Sequence, residues 1–132
     1  MVTGHLEFGK KCLDADIKPI FGIEAYQART KVSEKHKDGL IRNSRPNNDA
    51  FHLILLAKND IGLKNLWTIS SRAHTEGFYY RPRVDWDILE AHKEGIIATS
   101  ACLGGYVIRD LKEESSASLE KYLNLFGENF YV

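Results

Sequence analysis

Eight residues, AFHLILLA (Ala50 to Ala57), constrain the fold most tightly. Only His52 interrupts an otherwise apolar run. Strands with one wet face alternate apolar and polar side chains, so a nearly continuous run fits a strand covered on both faces. Such a strand needs helices above and below it, and the flanking sequence supplies them. LKNLWTISSRAH sets Leu63, Leu66, Trp67 and Ala73 at helical spacing. Upstream, Leu6, Phe8, Cys12, Leu13 and Ile17 mark a helix from about Gly4 to Asp14, with Thr3 as its cap.

The rest of the chain continues the alternation. In IKPIFGIEAYQA, Pro19 and Gly22 oppose a helix, while Ile20, Phe21 and Ile23 favour a short buried strand. Period two puts Ile20, Gly22 and Glu24 on one face. GFYYRPRVD cannot be regular helix through Pro82. WDILEAHK reads as a short amphipathic helix capped by Asp85. GIIATSAC is a further strand ending on Cys102, with helices near Gly105 to Lys112 and Ser116 to Phe126, and NFYV opens one more strand. Helix and strand alternating in this way predict an α/β fold with parallel strands and covering helices. Opening on a helix and closing on a bare strand, the chain reads as a piece of a larger α/β domain, incomplete at both ends. A small three-stranded α/β fold is the simpler alternative.

Gln27 to Asp49 breaks the pattern. It holds Arg29, Lys31, Lys35, Lys37, Arg42 and Arg45 against few acids and has no apolar period, so it reads as a basic loop inserted at about 27–49. Over the whole chain, 18 basic residues balance 18 acidic ones. Net charge therefore selects no partner, and any nucleic-acid contact must be local. The two cysteines, Cys12 and Cys102, are far apart in unlike contexts, which fits free thiols in a reducing cytoplasm and not a disulfide framework. No apolar stretch approaches the roughly 20 residues that cross a bilayer, and the N-terminus lacks the pattern of a signal peptide.

Three side chains stand out because they interrupt or end apolar strands: Glu24, His52 and Cys102. A carboxylate, an imidazole and a thiolate are three kinds of metal ligand. In parallel α/β folds functional residues gather at the C-terminal ends of strands. Glu24 and Cys102 are predicted to lie there, whereas His52 opens its run. Each also has a plainer reading: a solvated strand end, a hydrogen-bonded core histidine and a small buried hydrophobe. Gly104 and Gly105 permit close approach to a ligand just before a helix, where an anion could dock and the Cys102 thiol would lean toward thiolate. A tight strand-to-helix turn would need the same glycines. Arg81 and Arg83 lie among Phe78, Tyr79 and Tyr80, a mixture suited to phosphates and stacked bases, or to packing and salt bridges. His92, at a helix end, suits the dipole as a cation. His5 and His74 fall on helices and His36 in the basic loop. Serine-elbow, phosphate-loop and dinucleotide motifs are missing.

Taken in order, IKPIFGIEAY, FHLILLAKNDIGLKNL, EGFYYRPRVD and GIIATSACLGG resemble the PHP (polymerase and histidinol phosphatase) domain at the N-terminus of bacterial DNA polymerase III alpha subunits. The resemblance implies a distorted barrel of seven βα units with metal ions at the strand ends. It assigns zinc, manganese or iron to Glu24, His52 and Cys102. The family's His-x-His strand, its Asp-His strand and its late Asp-x-His motif have no counterpart here, which implies an internal fragment. The polymerase aspartates and their magnesium would also lie outside the chain, so no catalytic residue for polymerisation is expected in it. The implied partners are DNA and other replicase subunits, namely a proofreading exonuclease and a sliding clamp, with no membrane. The implied activity of the PHP part is metal-dependent 3′-to-5′ phosphodiester cleavage, or docking of the proofreading subunit. A free-standing PHP phosphoesterase, a metal-free interaction module and a hydrolase using Cys102 as nucleophile are the competing readings.

Overall fold

The computed structural model describes residues 2–34 and 50–132. Most of the basic loop, including His36, lies outside the described residues. Helix α1 (His5–Asp14) leads to strand β1 (Gly22–Ala28), and β2 (Ala50–Ala57) to the long α2 (Asp60–Thr75). Then follow β3 (Arg83–Val84), α3 (Trp86–Ala91), β4 (Ile96–Thr99), α4 (Tyr106–Lys112), α5 (Ala117–Phe126) and β5 (Phe130–Tyr131). The strands form one sheet in the order β3-β1-β2-β4-β5.

The sheet is mixed, which corrects the expectation of parallel strands. β1 pairs antiparallel with β2, and β2 antiparallel with β4, while β1–β3 and β4–β5 are parallel. Hence β1, β3, β4 and β5 run one way and β2 runs against them. The physical reason lies in the linkage. A parallel neighbour needs a crossover that returns the chain to its starting end, usually a helix, whereas an antiparallel neighbour does not. In the described part of the β1–β2 link the only helical element is a single 3-10 turn, Val32–Glu34.

Burial along β2 alternates, so the covering of both faces predicted from its composition is only half realised. Phe51, Leu53 and Leu55 are buried, while His52, Ile54 and Leu56 are half-buried. Leu53 and Leu55 join Ile23, Ala25, Leu66, Ile69, Ile88, Leu89, Val107 and Tyr122 in one core, while Phe51 stacks on Tyr106. Burying a side chain of this size contributes about 1.5–3 kcal/mol each. Buried Gln27 lies in β1, not in the basic loop as read from sequence, and its Oε1 accepts from the Tyr122 hydroxyl. Burial pushes the pKa of that phenol upward.

Several local signals are obeyed. Asn59 caps α2, its Oδ1 accepting from Gly62 N at 2.9 Å, and Asp85 caps α3 through Ile88 N at 2.9 Å. Others are not. The residue before α1 is Gly4, with no side-chain cap, so Thr3 does not serve. Leu6, Phe8 and Leu13 on α1 are exposed, as are Ile17 and Ile20 after it. The strand predicted to end on Cys102 stops at Thr99. β3, two residues long, is an additional strand that makes GIIATSAC the fourth.

Candidate functional site

The reversal of β2 decides where His52 sits. Because β2 runs against its neighbours, its first residues lie at the sheet end where β1 and β4 finish. His52 stands opposite Tyr26 in the register, and Glu24 opposite Ile54. Paired residues share a face and period two extends it, so Glu24, Tyr26 and His52 all lie on the less covered face. Glu24 is the third residue of β1 and not its end, because β1 continues two residues into the stretch read as loop. After β4 the chain turns through Ser100 to Gly105, and an isolated bridge joins His52 to Gly105. The His52 N–H donates to Gly104 O at 3.2 Å. That bridge brings Cys102 over the imidazole.

The three side chains meet at one atom. His52 Nδ1 lies 2.9 Å from Glu24 Oε1 and 3.3 Å from Cys102 Sγ. The Gly104 N–H points at Cys102 Sγ from 3.4 Å. Tyr26 packs edge-on against the imidazole, centroids 5.3 Å apart. Cys102 is exposed, whereas Cys12 is half-buried. A buried-hydrophobe reading therefore does not describe Cys102.

This geometry bears on the chemistry. In a nucleophilic triad the imidazole holds the nucleophile on one nitrogen and the carboxylate on the other. Here both partners meet the same nitrogen, so the arrangement is not that of a cysteine hydrolase. As donors, thiol, imidazole and carboxylate suit zinc, manganese or iron in kind. Among the described residues, however, no group of three or more His, Cys, Asp or Glu is spaced to hold a metal ion. The two observations agree: these atoms touch one another and do not surround a gap. The trio can supply ligands to an ion, but it does not enclose one.

The other predicted residues separate. Gly105 makes the close turn: an added Cβ would come within 2.1 Å of Ser100 O. Its N–H donates to Cys102 O at 2.7 Å, and the Gly104 N–H is directed at the thiol. These N–H groups serve the turn and do not face an anion. Arg83 is 3% exposed inside β3, its guanidinium 5.1 Å over the Tyr79 ring, a placement that does not meet the expected phosphate contact. Arg81 lies 4.8 Å over the Tyr26 ring, next to the imidazole. Both residues of β3 are buried, so Arg83 is enclosed even though its partner Tyr26 lies on the less covered face.

Three further histidines are structural. The Trp67 indole donates to His5 Nδ1 at 3.2 Å, and His5 Nε2 lies 3.1 Å from Gly22 O. His74 Nδ1 lies 2.8 Å from Ser70 O. His92 follows α3, but burial, and secondly the Arg72 guanidinium, lower its pKa, so the cationic form expected there is disfavoured. Among the described residues no helix is long and apolar enough to cross a membrane.

Comparison with known proteins places this geometry in context. The PHP domain model matches residues 1–132. The DNA polymerase III subunit alpha of Borreliella burgdorferi is 44% identical over 98% of this chain, and that of Chlamydia trachomatis serovar D 46% over 97%. The Thermus aquaticus protein of the same name is 40% identical over 98%. The chain spans 10–11% of the length of these curated relatives. Matched along its whole length, the chain belongs to the PHP domain family.

Proposed function

We propose that this chain is the PHP region of a bacterial DNA polymerase III alpha subunit, and that Glu24, His52 and Cys102 contribute to a divalent-metal centre for 3′-to-5′ phosphodiester cleavage. The meeting of three unlike donors at His52 Nδ1 carries this reading. The similarity to alpha subunits along 97–98% of the chain supports it. A bound zinc, manganese or iron ion would supply Lewis acidity toward a phosphate oxygen and a water acidic enough to attack near neutral pH. The chain's own part is to present the donors. The β1–β2 ladder and the Tyr26 ring fix the imidazole, the Gly104 N–H holds the thiol, and Glu24 orients Nδ1. Further ligands would come from elsewhere in the parent, as would the magnesium-dependent polymerase site. DNA, a proofreading exonuclease and a sliding clamp are the proposed partners, and the cytoplasm the proposed compartment.

A second reading is a metal-free docking platform for the proofreading subunit. The direct contacts of Glu24 and Cys102 with His52 favour it, because they satisfy the trio without an ion. Metal analysis of the full-length parent separates the two. Cys102→Ala is expected to lose bound metal while Cys12→Ala keeps it. Equal metal in both variants removes Cys102 from the centre. A metal-free parent that still binds its proofreading subunit supports the platform.

A further inference from the structure

Resting on the cleavage reading above, we propose that residues 78–81 form the substrate edge of the site. They receive the unpaired 3′-terminal nucleotide of a DNA strand: Tyr80 stacks on its base and Arg81 pairs with its phosphate.

Two large aromatics are set in water here. Phe78 is 53% exposed and Tyr80 64%. Tyr80 is also held at φ 58, in the left-handed region that a bulky residue seldom adopts. Such a conformation persists only where its surroundings enforce it. The enforcement is visible. Tyr79 N donates to Arg81 O at 3.0 Å, closing the turn, and the Tyr79 ring packs edge-on against Tyr80 with centroids 4.7 Å apart. The Arg83 guanidinium covers Tyr79 in turn. The Tyr80 ring thus rests edge-on against Tyr79 while most of the residue stays open to solvent.

The edge is continuous with the site. Arg81 lies on Tyr26, and Tyr26 on His52. Pro82, the next residue, lines a cleft together with Glu24 and Tyr26. Among the described residues Arg81 packs on a ring and not on a carboxylate, so its charge complements an anion arriving at the imidazole. Stacking on an aromatic ring accepts any base, because every base has a π-face. A base within a duplex is stacked on its neighbours and held to its partner, whereas an unpaired end is free to swing onto the ring. The pattern therefore favours an unpaired end without regard to its sequence.

The test uses the full-length parent and an oligonucleotide carrying 5-iodouracil at its 3′ end, irradiated in chelator and mapped by mass spectrometry. A covalent adduct on Tyr80 or Phe78 is expected. Tyr80→Phe should keep it. Tyr80→Asn, which tolerates positive φ and so spares the fold, should lower the yield at this site about tenfold. Arg81→Gln should lower it several-fold, with less dependence on salt. Adducts mapping only elsewhere, or Tyr80→Asn behaving as wild type, overturn the proposal. Since no metal is present, this outcome is independent of whether Cys102→Ala loses metal.

Discussion

At the scale of the residue, His92 and His52 show how differently one fold treats two imidazoles. His52 is offered a carboxylate and a thiol, whereas His92 is offered a guanidinium and a partial burial. Arg72 Nη1 stands 3.4 Å from His92 Nε2, while Arg72 itself is committed to Glu76 at 2.8 Å. Burial, and then Arg72, hold the His92 pKa below 6.5, with Glu76 opposing. The folded state therefore takes up this proton at lower pH than the unfolded chain does. Below about pH 6.5 the unfolded chain binds more protons, so this contribution is full above that pH and is lost as pH falls toward the folded value. His92→Gln should flatten the fall in unfolding midpoint between about pH 7.5 and about pH 5. An unchanged slope would mean that His92 does not titrate differently on folding. Glu24, His52 and Cys102 could be singled out in sequence because each is a polar or soft residue in an apolar run. Their meeting at one nitrogen could not be, since it depends on the β1–β2 register and the turn back from β4.

Among the elements, α3 is the clearest case of local chemistry serving a distant contact. Asp85 is 4% exposed; one oxygen caps α3, and the other accepts Val32 N at 2.8 Å. The same helix is tied to Lys31 through Asp87 at 2.7 Å, an exposed pair. The start of the segment read as a free basic loop is thus fastened to α3. Asp85→Ala removes a cap and orphans a buried donor, and should cost roughly 2–4 kcal/mol. The urea midpoint of the PHP region measures it, and a loss under about 1 kcal/mol would deny the double role. α2, α3 and α5 were legible because caps or apolar period mark them, and β2 because of its composition. β3 was not: two residues following Pro82 carry no period, and they are a strand only through Tyr26 and Gln27. Strand direction was not legible either, since alternation of helix and strand says nothing about a link without a crossover helix. That is why His52 looked misplaced at the start of its run.

For the molecule as a whole, the described sheet is open. β5 pairs through two residues, and β3 leaves Gly22 to Ala25 of β1 unpaired on that side. Leu6 and Leu13 on α1, and Ile17 and Ile20 in the segment leading to β1, are exposed apolar side chains as well. Open strand edges and bare apolar surface promote association. Residues 1–132 produced alone should sediment as oligomers or aggregate and bind hydrophobic dyes. A sharply melting monomer would refute this. The opposed course of β2 has one more consequence, for how the gene can vary. The seven-pair ladder fixes β2 against β1 from Ala50 onward, so the register is written within the two strands themselves. Loss of the Phe51 codon, with Ala50 held in place, would slide the imidazole to the covered face and set Leu55 opposite Glu24. A change of length inside the strand, from Ala50 on, therefore reaches the imidazole directly.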